Sequence, residues 1–346
     1  MKDTKSLDWQ PPANWHTVRT IDAHTGGEPL RIILDGFPEL PGKSILARRR
    51  AACEAHDALR KMLMWEPRGH ADMYGCLIVP AVTEGADFGV LFLHNEGWST
   101  MCGHGIIAVT KVALETGLIP MRTPETVVRI DSPAGLITAT ARVANDHVES
   151  VRFLNVPSFV LDLDQRIHVP GLGEVCYDLA FGGAFYAYIQ AADVNLTCSS
   201  HEFSQLIDVG MQIKKAVMAQ RPISHPFEDA LSFLYGTIFI APSLSANADS
   251  RNVCIFADGE VDRSPTGTGV SGRMALHYAR REIEIQEPLV IESIIGSQFT
   301  GRVIEETTFG PYRAVIPEVE GTAHITGTAT FLVDPDDPLK DGFILR

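Results

Sequence analysis

Ser99-Thr100-Met101-Cys102-Gly103-His104-Gly105-Ile106-Ile107-Ala108-Val109-Thr110-Lys111-Val112-Ala113-Leu114 reads as a glycine-flanked loop feeding a helix. Gly103 and Gly105 let the backbone turn sharply and approach a ligand, and Gly117 stands where a C-terminal stop is expected. Apolar residues cover nearly the whole circumference instead of one stripe, which predicts a helix buried within its domain. Cys102 then falls at the helix N-terminus, where unpaired N–H groups and the positive dipole end stabilise anions, a thiolate included. A free thiol titrates near ~8.5, so a modest downward shift makes Cys102 a base near neutral pH. The same N–H groups can hold a carboxylate. Taken alone, however, the loop reads more readily as a buried structural cysteine in a tight turn, because free cysteine is often interior and inert.

A second copy changes that reading. Ser264-Pro265-Thr266-Gly267-Thr268-Gly269-Val270-Ser271-Gly272-Arg273-Met274-Ala275-Leu276 again runs from a small polar residue through Gly-x-Gly into a helical stretch, about half a chain length further on. Cys102 and Thr266 are equivalent in this comparison, so the chain reads as two diverged copies of one unit. Two helix N-termini facing each other across an interface would clamp a small anion between a thiol and a hydroxyl. Gly267-Thr268-Gly269-Val270-Ser271-Gly272 also fits the dinucleotide fingerprint G-x-G-x-x-G, but the preceding strand ends near Ala257, too early for a βαβ unit. An oxidoreductase is therefore kept only as a contrast.

At these residues the chain resembles the proline racemase family, which has the diaminopimelate epimerase-like fold. The resemblance extends to Asp22-Ala23-His24-Thr25-Gly26-Gly27-Glu28-Pro29, Glu66-Pro67-Arg68-Gly69-His70-Ala71-Asp72-Met73-Tyr74-Gly75, Phe181-Gly182-Gly183-Ala184-Phe185 and the segment from Phe256 to Gly269. It implies an α+β fold of two pseudo-symmetric lobes, each a sheet wrapped around a central helix, with the active site between them. The expected first lobe comprises 1 to 135 and 322 to 346 and carries the Cys102 half-site. The expected second, 136 to 321, carries the Thr266 half-site. Family members that racemise or epimerise have cysteine in both half-sites. Thr266 in the second matches the branch of trans-3-hydroxy-L-proline dehydratases.

The resemblance further implies catalysis by Cys102 with Thr266 opposite, and a substrate site made by Gly103, His104, Gly267 and Thr268 (carboxylate), Asp262 (ammonium) and Phe256 (ring). Asp262 could equally be a turn carboxylate, His104 a local cap, and Phe256 an ordinary core aromatic. A hydroxyl is a far weaker acid than a thiol, so Thr266 cannot return a proton on the second face. Loss of a β-hydroxyl offers the carbanion another outlet. In trans-3-hydroxy-L-proline the hydroxyl shares a ring face with the α-hydrogen, so Cys102 could take the proton and then, as thiol, protonate the departing hydroxide. Rival readings are a proline racemase or 4-hydroxyproline 2-epimerase, which Thr266 opposes, and a non-catalytic amino-acid-binding protein, which Cys102 and Asp262 oppose.

The 346 residues, 45% hydrophobic and 21% charged, describe an ordinary globular protein of about two domains. A net charge of −14 argues against a nucleic-acid partner, and no apolar run is long enough to span a membrane. The stretch 1 to 12 lacks a signal-peptide core, so a cytoplasmic location is expected. Cys53, Cys76, Cys102, Cys176, Cys198 and Cys254 show neither metal spacing nor a disulfide framework. His24, Glu28, His70, Asp72 and His104 match no compact ligand motif, and the family that the chain resembles is without metal, so no metal and no cofactor are expected. The partner is a small molecule, hydroxyproline, with a homodimer as a compatible assembly.

Strands are expected at 17 to 21, 30 to 34, 76 to 80, 88 to 93, 126 to 131 and 136 to 143. A helical spacing runs over 44 to 64, and Ser132-Pro133-Ala134-Gly135 looks like the crossing between lobes. The second lobe should repeat the plan, with strands near 148 to 154, 184 to 191, 235 to 241 and 252 to 257 and a helix near 201 to 219. The strand-like 322 to 333 should return to the first lobe.

Overall fold

Five helices run through the described residues: α1 (Ile45–Ala55), α2 (Asp57–Met64), α3 (Gly103–Glu115), α4 (Phe203–Gln220) and α5 (Gly267–Ala279). The structure, a computed structural model, describes residues 9–345; part of the stretch 1 to 12 therefore lies outside the described residues. Two of the helices are axles. On α3 every residue from Gly103 to Leu114 is buried, and on α5 every residue from Gly267 to Leu276, as apolar coverage of the whole circumference requires.

Strands wrap each axle. Around α3 lie His16–Thr25, Glu28–Asp35, Gly135–Ala144, His147–Leu154 and Ala323–Val333; around α5 lie Ser158–Val169, Gly173–Phe181 and Gln298–Phe309. The strand Tyr312–Gly321 touches both helices and hydrogen-bonds to His147–Leu154 and Ser158–Val169, which makes one continuous sheet of the two halves. The result is the α+β, helix-centred architecture that the family resemblance implies. Strand Ala323–Val333 pairs antiparallel with His16–Thr25.

The first hairpin shows how local chemistry sets this plan. His16–Thr25 and Glu28–Asp35 are antiparallel, joined through Gly26 (φ 58°) and Gly27 (φ 91°). A two-residue hairpin turn with two left-handed positions favours glycine at both, since a side chain there meets the following backbone. Between the sheet and the helices α1 and α2, Ile45, Ala52, Met62, Leu63, Leu77, Leu91, Leu93 and Trp98 form a separate apolar cluster. Each such side chain, fully buried, stabilises by about 2 kcal/mol.

Three sequence expectations change. The helical spacing over 44 to 64 is broken at His56 (φ −133°, ψ 18°) into α1 and α2, at a residue with no helix-breaking chemistry of its own. Ser132 to Gly135 is no crossing: Ser132 pairs with Gly135 and Asp131 with Leu136, so Pro133 and Ala134 form a tight hairpin turn. The hairpin it starts, Gly135–Ala144 with His147–Leu154, stays on α3. We therefore propose the change of halves near residue 155, not between 135 and 136. The strands Ser158–Val169, Gly173–Phe181 and Gln298–Phe309 lie where the sequence reading expects none.

Candidate active site

The N-termini of α3 and α5 meet head to head. A Cβ on Gly103 would lie 2.5 Å from Gly267 Cα, and one on Gly267 would lie 2.7 Å from Gly103 Cα, so neither position tolerates a side chain. All eight expected residues, Cys102, Gly103, His104, Phe256, Asp262, Thr266, Gly267 and Thr268, line the cavity at this junction. Tyr74, Met101, Tyr186, Tyr235 and Cys254 complete the wall. Its volume of about 20 Å³ is room for roughly one water, so an amino acid enters only when the halves part. Larger open grooves of about 320 and 520 Å³ run beside the C-terminal part of α5, away from both helix N-termini.

Cys102 is the N-cap of α3. Its backbone is extended, and Sγ accepts from Gly105 N at 3.2 Å. His104 Nδ1 lies 3.2 Å from Sγ, and His104 Nε2 lies 3.2 Å from the Pro29 carbonyl. A carbonyl only accepts, so Nε2 carries the ring proton and Nδ1 is left to accept from the thiol. Burial lowers the His104 pKa, which keeps the ring neutral. The sequence expectation of a thiol lowered by the helix terminus is corrected here. Burial pushes Cys102 well above its ordinary value and the carboxylates of Asp262 and Glu28 add to this, against the pull of Gly105 N–H and the Tyr74 hydroxyl. Without a ligand Cys102 is a thiol pointing at a base.

The second half-site is not a mirror of the first. Thr266 precedes α5 with φ 66°, a left-handed conformation costly for a β-branched residue, and its hydroxyl does not cap the helix. Thr266 Oγ1 is buried with no hydrogen-bond partner of good geometry. Behind it, on strand Ser250–Phe256, sits the buried thiol of Cys254, whose ionised form a hydrogen bond from Thr266 would favour. Burial and Asp262 hold that thiol protonated. Sequence alone assigns Cys254 no role, because a lone cysteine in an apolar strand carries no signal of one. Cys254→Ala is expected to cost about 1 kcal/mol of stability. It should leave turnover well within the roughly 100-fold that loss of an acid or base costs. Thermal unfolding and initial rates check both; a larger loss of rate would make Cys254 a proton donor.

Asp262 Oδ1 accepts from Ser264 N at 2.7 Å while its carboxylate lines the cavity, so the turn-forming and ligand-facing readings hold together. Phe256 stacks on Tyr235 at 5.4 Å between ring centroids. Thr268 Oγ1 bonds Tyr186 at 2.7 Å. Polar links close the halves around this group: Arg263 N donates to Glu28 at 2.7 Å, Arg263 pairs with Asp72 at 2.9 Å, and His94 faces Glu260 at 3.2 Å. Burial first, and then the charge of Asp262, push the Glu28 carboxyl above its ordinary value, against the pull of Arg263. Among the described residues no three His, Cys, Asp or Glu side chains are arranged to hold a metal. The glycine-rich match at 267 to 272 serves packing: a Cβ on Gly269 would lie 2.4 Å from Ile238, and one on Gly272 2.1 Å from the Tyr188 hydroxyl.

Residues 20–344 match the proline racemase family. The chain belongs to that family. Among its relatives, the trans-3-hydroxy-L-proline dehydratase of Colwellia psychrerythraea is 50% identical, covering 99% of this chain and 97% of that protein. The 3-hydroxyproline 2-epimerase of Burkholderia multivorans is 46% identical over 95% of this chain and 98% of that protein. A crystal structure of a hydroxyproline epimerase from Agrobacterium vitis with bound trans-4-hydroxy-L-proline superposes with a TM-score of 0.91 at 32% identity, covering 96% of each chain. Against the two-cysteine pattern of the racemising proline racemase family members, Thr266 is the departure to be explained.

Proposed function

We propose that this chain dehydrates trans-3-hydroxy-L-proline to pyrroline-2-carboxylate with no added cofactor. The observation that carries the reading is the asymmetry of the half-sites, a thiol beside an imidazole at α3 against a hydroxyl, which is no comparable acid or base, at α5. Relatives bearing the dehydratase name over nearly the full chain support it.

The substrate ammonium pairs with Asp262, and the pair cancels the Asp262 charge that adds to burial in holding Cys102 protonated. The carboxylate lies against N–H groups of Gly103, His104, Gly267 and Thr268, which lack intrahelical partners because they begin their helices. Negative charge grows on that carboxylate as the α-proton leaves, and one such donor is worth about 3 kcal/mol. The Cys102 proton passes to His104 Nδ1, and the thiolate takes the α-proton. The electron pair of the Cα–H bond becomes the C2–C3 double bond as the C3–O bond breaks. Phe256 and Tyr235 bound the ring, and Thr266 Oγ1 bonds the ligand from the second face. The same reading makes the partner a small molecule.

The test is mass spectrometry of the purified chain with trans-3-hydroxy-L-proline, L-proline and trans-4-hydroxy-L-proline, no cofactor being added. Loss of one water from the first alone is expected; absence of that loss rejects the reading. A second reading, 3-hydroxyproline 2-epimerase, is favoured by the Burkholderia multivorans relative and by the protonated Cys254 thiol on the Thr266 side. It would give a product of unchanged mass.

A further inference from the structure

The elimination needs a proton for the departing oxygen. A hydroxide leaves poorly, so an acid placed at the departing oxygen speeds the step. If Cys102 did both tasks, the thiol would have to release the proton it had just taken before the carbanion recaptured it. Tyr74 is a separate donor already in place. It lies on strand Tyr74–Val79, in the same half as Cys102, and lines the cavity beside it. Its ring packs edge-on against His104 with centroids 4.8 Å apart. Its hydroxyl is bonded to Ser99 Oγ and lies 3.3 Å from the hydroxyl of Tyr235, which reaches in from the other half. Tyr186, the third tyrosine of the wall, is committed to Thr268 on the α5 side.

We propose that Tyr74 is the catalytic acid that protonates the departing 3-hydroxyl, so that the elimination uses two groups on one face, Cys102 for the α-proton and Tyr74 for the oxygen. The proposal rests on the dehydratase reading. In trans-3-hydroxy-L-proline the α-hydrogen and the 3-hydroxyl share a ring face, and the thiol and the phenol share a side of the cavity. Cys102 thiolate takes the α-proton, the Cα–H electrons form the C2–C3 double bond, and the C3–O pair leaves with oxygen. That oxygen takes the Tyr74 proton and departs as water. The phenolate then recovers a proton from the Cys102 thiol, which restores both groups with no outside acid. Burial keeps Tyr74 protonated until that moment.

Tyr74→Phe, compared with wild type on trans-3-hydroxy-L-proline and on trans-3-fluoro-L-proline in heavy water, tests this. Fluoride needs far less help to leave than hydroxide. Dehydration should fall at least about 100-fold, the ordinary worth of a positioned acid. Fluoride release should fall less than about 5-fold, and recovered hydroxyproline should gain α-deuterium because proton removal continues without elimination. Equal losses on both substrates, or undiminished dehydration, would overturn the role of Tyr74. Wild type acting on neither substrate would instead overturn the dehydratase reading. Thermal unfolding checks that the variant folds. Should it not, Ser99→Ala, which removes a hydrogen-bond partner of the Tyr74 hydroxyl and lies outside the cavity wall, should lower the ratio of hydroxide to fluoride elimination; an unchanged ratio would count against Tyr74.

Discussion

Cys102→Ser is expected to lose at least about three orders of magnitude in turnover of trans-3-hydroxy-L-proline, or ~4 kcal/mol of transition-state stabilisation, while the fold stays intact. The hydroxyl of serine is nearly isosteric with the thiol and is a favoured N-cap, so it can still accept from Gly105 N at the start of α3. What it cannot do is ionise. His104 Nδ1 can draw a proton from a thiol 3.2 Å away, but an alcohol is too weak an acid to become a comparable base. Initial rates, thermal unfolding and substrate binding on the purified variant check this together: folding and binding should match wild type. A variant with more than about a tenth of the wild-type rate would remove Cys102 from the reaction.

Thr266→Cys is expected to gain what wild type lacks, inversion at the α-carbon of L-proline or trans-4-hydroxy-L-proline. A thiol in place of the hydroxyl would put a second titratable acid at the N-terminus of α5, facing Cys102 across the Gly103 and Gly267 contact. The substitution also removes a β-branched residue from φ 66°, where strain of about 1 kcal/mol or more is stored, so stability should not fall. Because Cys254 lines the same cavity, the assay belongs under reducing conditions. Chirality and deuterium entry in heavy water are the readouts, with at least a 10-fold rise over wild type expected from the acid gained. No rise in either would mean that Thr266 does not stand on the second face.

Much of the site was legible because the loop is written twice. Gly-x-Gly after a small polar residue, followed by an apolar run, identifies a buried helix N-terminus, and finding it again at Thr266 predicts two such termini facing each other, as Gly103 and Gly267 do. Other features leave no such mark. Tyr74 and Tyr235 sit in apolar strands, where an aromatic reads as core, and only the three-dimensional cavity turns their hydroxyls inward. The ionisation of Cys102 was misjudged because a helix terminus is visible in sequence, whereas full burial beside Asp262 and Glu28 is a product of the folded pair of halves. The crossing between halves, which we propose near residue 155, leaves no mark for a related reason. Pro and Gly mark a turn at 133 to 135, but whether the chain then returns on the same sheet or leaves it depends on the strands waiting to pair.

The fate of the α-carbon of trans-3-hydroxy-L-proline in heavy water tests the single-thiol elimination most directly, because dehydratase and epimerase share every step up to proton removal. The wild-type chain, with no cofactor added, is incubated with the L-substrate, and the products are separated by mass and by chirality. The expected result is pyrroline-2-carboxylate, lighter than substrate by one water, with no cis-3-hydroxy-D-proline formed. Accumulation of deuterated cis-3-hydroxy-D-proline without loss of water would contradict it, since that product requires an acid on the face where Thr266 stands.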